Sequence, residues 1–352
     1  MIKNQASDRL YAEIKGQLLQ AYHEIHCSGT TIDGKFTASV ENKLKMITGR
    51  KHAKLVTSGT TAVITALLSW GIVDKRVACV NYSFVASANQ ASLLNRVDFF
   101  DINDKGLMLV DEKFDHDAVI PVSLYGNTID YDNLKVAENT KVIVDCAQSL
   151  GSLYKQKPDG SFGDAAVFSF SGNKPVPTAG THGALVWDDD EMTDKVKAVS
   201  RNGKISSNGG IISYGVNGTP YELQAAQIDI GLDHIHQWQS KRKHIHDYYS
   251  DKFRNLPFEI IHPADYCESN YHKFCILSKD RNKLMTFLAD NGVQASLQYT
   301  DNFADFFGSQ KKFPNTDRFC DNIIVLPNHA WLTDAEIEKV ATTVNNFYNT
   351  NQ

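Results

Sequence analysis

KLVTSGTTAVITALLSWG, residues 54–71, decides the fold. A short run with strand character, 54–57, ends in four small residues, Ser58-Gly59-Thr60-Thr61, and passes directly into a helical stretch, 62–71. Strand, tight turn and helix in that order is the repeating unit of α/β folds. Outward from it the same order continues, with a strand at 76–81, a helix at 85–95, and strands at 97–102, 118–123 and 141–144. The last two are almost wholly apolar, as strands covered by helices on both faces must be. Residues 165–170 and 184–187 read as a strand pair around a loop rich in Gly, Pro and Thr. Apolar spacing of three and four over 221–252 marks a long helical segment, and Gly231 within it leaves one kinked helix or two helices open.

After about residue 253 the texture changes. A strand at 271–277, a helix at 280–291 beginning at Asp280, and a strand at 293–298 precede a closing helix at 334–348. Thr333 stands at its N-cap with Glu336 three residues on, the spacing of a capping box. The expectation is an α/β chain in two unequal parts. Residues 20–240 form a large domain whose mixed, mostly parallel sheet is flanked by helices. Residues 241–352 form a smaller C-terminal α+β domain, with an N-terminal helix at 1–19 packed against it.

Composition sets the class. The 352 residues carry 36 Lys and Arg against 41 Asp and Glu, a formal charge of −5, so no basic stripe points to nucleic acid. The longest apolar stretch, 63–73, falls short of the roughly 20 residues that a membrane span requires. The start, MIKNQASDRLYAEIKG, has no apolar core of a secretory leader, and six scattered cysteines form no C-x-x-C pair. A cytoplasmic protein with reduced thiols is expected. His23 and His26, and the group His234, His236, His244 and His246, lack the spacing and carboxylate partner of a metal site, and none is expected.

Four short segments carry chemistry. T-S-G-T-T-A, 57–62, places small residues at a strand-to-helix junction, where backbone N–H groups can cradle an anion. V-I-V-D-C-A-Q-S puts Asp145 at the carboxyl end of a buried strand, the edge where α/β sheets collect ligands. In V-F-S-F-S-G-N-K-P-V-P-T-A-G-T-H-G, 167–183, Lys174 has no charged neighbour between Asp164 and Asp188 apart from His182. Desolvation of such a lysine favours the neutral amine that forms Schiff bases, and Ser169 five residues earlier offers a hydroxyl to an anion. In Y-S-F-V-A-S-A-N, Phe84 follows a strand end and can cover a planar ring. Phosphate cradle, ring-nitrogen carboxylate, aromatic cover and aldehyde-capturing lysine together describe pyridoxal 5′-phosphate.

With these residues the chain resembles the DegT family of nucleotide-sugar aminotransferases, which have the aspartate aminotransferase fold (fold type I). T-S-G-T-T-A is similar to the family's S-G-T-x-A, S-F-V-A-S-A-N to T-F-V-A-T-A-N, and P-V-S-L-Y-G-N-T-I-D to P-V-H-L-Y-G. D-C-A-Q-S-L-G-S resembles D-A-A-Q-A-H-G-A, S-F-S-G-N-K resembles S-F-x-x-x-K, and Y-G-V-N-G-T-P-Y-E-L-Q-A-A resembles G-x-N-x-R-M-x-E-L-Q-A-A. The resemblance implies that Lys174 holds the cofactor and moves a proton between cofactor and substrate carbons. It implies that Asp145 pairs with the pyridine nitrogen, Gln148 bonds near the ring and Phe84 stacks on it. Thr60, Thr61 and Ser169 would hold the phosphate, and in a homodimer with shared sites Asn217 would reach the partner's cofactor phosphate.

The implied reaction is ping-pong. L-Glutamate converts the cofactor to pyridoxamine 5′-phosphate, and the amine passes to a keto-sugar on a nucleoside diphosphate. A 4-keto-6-deoxyhexose giving a 4-amino-4,6-dideoxyhexose (viosamine-type) nucleotide is the first expectation, and amination at carbon 3 the alternative. The family's dehydratase branch has His in place of the lysine, so Lys174 opposes it, and a non-catalytic ligand sensor would not need the full cofactor set. Thr219 where the family commonly has Arg, Q-Y-T at 298–300 and T-H-G at 181–183 depart from the pattern in substrate and loop regions.

Overall fold

A computed structural model describes residues 1–206 and 208–350. Successive side chains on a strand point to opposite faces, so a strand with helices on both sides must be apolar throughout. Seven strands obey this to differing degrees: β1 (His52–Val56), β2 (Arg76–Val80), β3 (Arg96–Phe100), β4 (Ala118–Ile120), β5 (Lys141–Asp145), β6 (Ala165–Ser169) and β7 (Gly183–Trp187). They form one sheet in the order β1-β7-β6-β5-β4-β2-β3, with the half-polar β3 at an edge. Neighbours from β6 to β3 are parallel, whereas β7 runs against both β1 and β6. The strand pair expected at 165–187 is this β6–β7 hairpin, with Ala165 opposite Trp187 and Ser169 opposite Gly183.

Helices cover both faces. Val142 and Val144 of β5 pack into a core with α1 (Ser7–Ser28), α2 (Lys35–Thr48) and α6 (Glu222–Asp233). Ile143 between them faces α3 (Gly59–Ser69), α4 (Ala86–Leu94) and α5 (Met192–Val199). The 221–252 segment resolves into two helices, α6 and α7 (Ile235–Lys252), meeting at His234. Gly231 is not the break. A Cβ there would come within 2.7 Å of Val176 and 3.3 Å of the Trp238 ring, so its small size lets α6 lie close to both.

Beyond α7, strands β8 (Glu259–Ile260), β9 (Phe274–Leu277) and β10 (Ile323–Leu326) form an antiparallel sheet in the order β8-β9-β10. α8 (Arg281–Asp290) and α9 (Asp334–Thr350) join α7 over it, around Tyr249, Leu284, Leu288 and Val340. The strand expected at 293–298 does not form. Val293 bridges only to Ile2 and Ser296 only to Val325. Past that point the chain turns away through Tyr299 at φ +54°, so its pairing with β10 stops at this single bridge. No helix among the described residues is long and apolar enough to cross a membrane.

The N-terminal residues pack beside this second sheet. Ile2 N–H donates to Gly292 O (2.8 Å), and Asn4 Nδ2 donates to Ser296 Oγ (2.8 Å). Leu10 and Ile14 of α1, by contrast, belong to the core of the large sheet. The expected capping box is present: Thr333 N donates to Glu336 Oε2 (2.9 Å) and Glu336 N to Thr333 Oγ1 (3.3 Å). Arg9 closes on the same carboxylate with two 2.6 Å bonds, and this pairing holds the Glu336 carboxyl down at about 2. A carboxyl lowered on folding contributes stability above its unfolded value near 4.5 and loses it as pH falls toward 2. Arg9→Met should therefore lower stability at neutral pH by about 1 kcal/mol or less, because the pair is partly exposed. Melting curves of both proteins should converge as pH drops from 4.5 toward 2.

Candidate active site

In an open α/β sheet the carboxyl ends of parallel strands are the ligand edge. Here that edge opens into a cavity of about 300 Å³. After β1, Ser58 caps α3, its Oγ accepting from Thr61 N (2.9 Å), which leaves the amides of Gly59 and Thr60 outside the helical ladder. β7 begins directly against this turn. A Cβ on Gly183 would lie 2.4 Å from the backbone of Ser58 and Gly59, and one on Gly59 would lie 2.9 Å from Ser169 Cβ. Only glycines allow that crossing, which brings the Ser169 hydroxyl to the N-terminus of α3.

Asp145 ends β5 and is held on both oxygens. Ser87 Oγ donates to Oδ2 (2.5 Å) and Ala147 N to Oδ1 (3.0 Å). The S-F-V-A-S-A-N motif thus supplies Phe84 to the cavity wall and Ser87 to the carboxylate. Phe84 is 56 % exposed, an apolar face left uncovered beside Val122, Leu124 and Val167. Lys174 stands in the β6–β7 loop, which Phe170 N closes at its base by donating to His182 O (2.8 Å). Ala179 N donates to Gln227 Oε1 (2.9 Å), and Arg242 Nη1 to Pro175 O (3.3 Å), so α6 and α7 hold the loop in place. Burial lowers the Lys174 pKa below the ordinary lysine value, with Asp145 opposing that shift. His182, the unexpected member of T-H-G, is fully buried, is kept below its usual value by desolvation, and accepts from Tyr221 N (3.1 Å).

Thr60, Phe84, Asp145, Gln148, Ser169 and Lys174 all line the one cavity. Thr61 does not line it. Its hydroxyl is taken up within the cap, 2.8 Å from Ser58 Oγ and 3.1 Å from Thr57 Oγ1. Asn217 is exposed outside the cavity, where its carbonyl accepts from Thr57 Oγ1 (3.3 Å). Gln148 accepts from Tyr125 N (2.9 Å) and donates to the Tyr299 hydroxyl, a contact that ties the Q-Y-T segment to the site. His272, Lys273 and Tyr299 also line the cavity and are not among the site residues expected from the sequence. Only Tyr299 carries a signal in the sequence, the unusual Q-Y-T at 298–300.

The donor set fits pyridoxal phosphate. Free first-turn amides with the Thr60 and Ser169 hydroxyls suit a phosphate, a fixed carboxylate suits a protonated ring nitrogen, and the apolar wall suits a flat ring. Among the described residues no group of three or more His, Cys, Asp and Glu is placed to bind a metal.

Residues 12–345 match the DegT/DnrJ/EryC1/StrS aminotransferase family. The chain is 26 % identical over 346 residues to dTDP-3-amino-3,6-dideoxy-α-D-galactopyranose transaminase of Aneurinibacillus thermoaerophilus, covering 94 % of this chain and 95 % of that one. It is 28 % identical over 324 residues to UDP-4-amino-4,6-dideoxy-N-acetyl-β-L-altrosamine transaminase of Campylobacter jejuni, covering 84 % and 85 %. Among solved structures, a DegT DnrJ EryC1 StrS aminotransferase from Brucella abortus superposes with a TM-score of 0.92 at 23 % identity, over 99 % of this chain and 100 % of that one.

Proposed function

Because the chain belongs to the DegT/DnrJ/EryC1/StrS aminotransferase family, and so is a pyridoxal-phosphate-dependent sugar aminotransferase, we propose that it moves the amino group of L-glutamate to carbon 4 of a nucleotide-linked 4-keto-6-deoxyhexose. The product would be a 4-amino-4,6-dideoxyhexose nucleotide. The observation that carries the reading is Lys174 and Asp145 facing one cavity, with the capped start of α3 beside them. Amination at carbon 3 is the second reading, because curated relatives are named for both positions.

When bound, the cofactor supplies an aldehyde for the amine and an electron-accepting ring for the carbon that loses its proton. The chain supplies position and charge. The amides of Gly59 and Thr60 with the Thr60 and Ser169 hydroxyls anchor the phosphate. Asp145, oriented by Ser87 and Ala147, would keep the ring nitrogen protonated, and Phe84 would cover the ring. Lys174 Nζ, inclined to neutrality by burial, would accept the proton that the donor's α-carbon loses and deliver it to the cofactor's aldehyde carbon. Water is excluded by the Val122, Leu124 and Val167 wall and by the Gln148–Tyr299 pair.

The working unit in this reading is a homodimer. Ile211, Ile212, Tyr214 and Tyr221 are exposed apolar side chains flanking Asn217, a surface suited to a second copy. Asn217 would then serve the partner's phosphate. Six free cysteines fit a cytoplasmic setting. Incubation of the pyridoxal-phosphate-loaded protein with glutamate and, separately, 3-keto and 4-keto nucleotide sugars tests the assignment. Turnover of the 4-keto substrates is expected, and turnover of 3-keto substrates alone would move the amination to carbon 3.

A further inference from the structure

Lys273 lies just ahead of β9 and lines the same cavity as Lys174. Its backbone N–H donates to Tyr125 O (3.4 Å), but among the described residues its ammonium has no hydrogen-bond or ion-pair partner. Among the described residues Asp145 is the only carboxylate lining the cavity, and both its oxygens are already engaged. An adjoining smaller cleft adds Arg242 and Asn328 and no acid. Arg242 Nη2 and Asn328 Oδ1 are both buried without partners. Burial above all, reinforced by the positive charges of Lys174 and Arg242, brings the Lys273 pKa down to about 8. His272 next to it is kept neutral by desolvation and by the same cations.

A partly buried ammonium with no partner is costly to hold charged unless a ligand completes it. Once Lys174 is engaged by the cofactor and Asp145 by the ring nitrogen, Lys273 is the cation of this cavity left to face an incoming anion. Two substrate anions compete for it. The donor's nitrogen must reach the place of Lys174 Nζ, and the donor's α-carboxylate is only two bonds from that nitrogen. A sugar diphosphate lies across a whole pyranose ring from the reacting carbonyl carbon. We propose that Lys273 receives the α-carboxylate of the amino donor and so sets the preference for an α-amino acid. This inference rests on the aminotransferase reading with an amino-acid donor. It makes Lys273 a specificity residue, while Lys174 carries the chemistry.

The test compares wild type, Lys273→Gln and Lys273→Arg in single-turnover half-reactions followed by the cofactor's absorbance. The donors are L-glutamate and 4-aminobutyrate, which is glutamate without its α-carboxylate. With glutamate, Lys273→Gln should lose about 10- to 100-fold in efficiency, the worth of a charge-assisted hydrogen bond, and Lys273→Arg should regain part of it. With 4-aminobutyrate, and in the return half-reaction with the keto-sugar nucleotide, Lys273→Gln should lose far less than it does with glutamate. Equal loss with both donors would overturn the proposal and leave Lys273 a positioning residue for Lys174. Loss confined to the sugar half-reaction would overturn it in favour of a diphosphate contact. A wild-type protein that reacts with no amino acid would instead overturn the aminotransferase reading, and this proposal with it.

Discussion

Lys174→Ala should lower the glutamate half-reaction by about 10²- to 10⁴-fold, the usual contribution of a positioned proton-transfer group, and more if covalent capture is lost with it. The expectation rests on place as much as on residue type. Lys174 stands in a loop held by Gln227, Arg242 and the Phe170–His182 bond, so its amine has little freedom. Burial lowers its pKa, and Asp145 is the one charge drawing it back up. Borohydride reduction of the wild-type protein should fix the cofactor to the peptide containing Lys174. The variant should bind cofactor without taking the label. Lys273 lines the same cavity and provides an internal control. Label found on Lys273 in the wild-type protein would defeat the assignment.

Glu222→Ala should cost about 3 kcal/mol or more of stability, although Glu222 sits in the Y-E-L-Q-A-A motif and could pass for a site residue. The side chain is 1 % exposed and does not line the cavity. Its carboxylate caps α2 from the start of α6. Oε1 accepts from Gly34 N (2.9 Å), Thr37 N (2.9 Å) and Thr37 Oγ1 (2.6 Å), and Oε2 from Phe36 N (2.8 Å). Without it, the first amides of α2 would be buried with no acceptor. Glu222→Gln should cost less than alanine, because one acceptor oxygen remains while an NH2 group meets an N–H donor. Urea unfolding of the three proteins gives the order. Each variant should still bind the cofactor at low temperature. A variant with wild-type stability but no activity would show that the motif acts in catalysis rather than in capping.

The sheet and the lysine loop were legible because each is written locally. Strand periodicity, small-residue turns and one isolated charge lie within a few residues of one another, as in 54–71 and 167–183. The rest of the cavity lining was not legible. His272, Lys273 and Tyr299 acquire meaning only from burial and from the charges facing them, and neither has a sequence period. Two local signals were read too simply. Gly231 left one kinked helix or two helices open, but its role is close approach to Val176, and α6 ends two residues later. The alternation of 293–298 looked like a strand, but the turn at Tyr299 that delivers its hydroxyl to Gln148 takes the chain off the sheet edge. Thr61 reads like Thr60 in sequence, yet one helical step turns its hydroxyl back into the cap.

The hairpin of β6 and β7 has a consequence for how the protein is made. Every side chain assigned to the cofactor's ring and phosphate within one subunit lies between Ser58 and Lys174, and β7, which locks the lysine loop against the α3 turn, ends at Trp187. Lys273 and Tyr299 follow roughly a hundred residues later. On the ribosome the residues assigned to the cofactor are therefore synthesised first, and Lys273, proposed to choose the donor, arrives only with the last third of the chain. The order of translation thus follows the order of use, with cofactor before substrate.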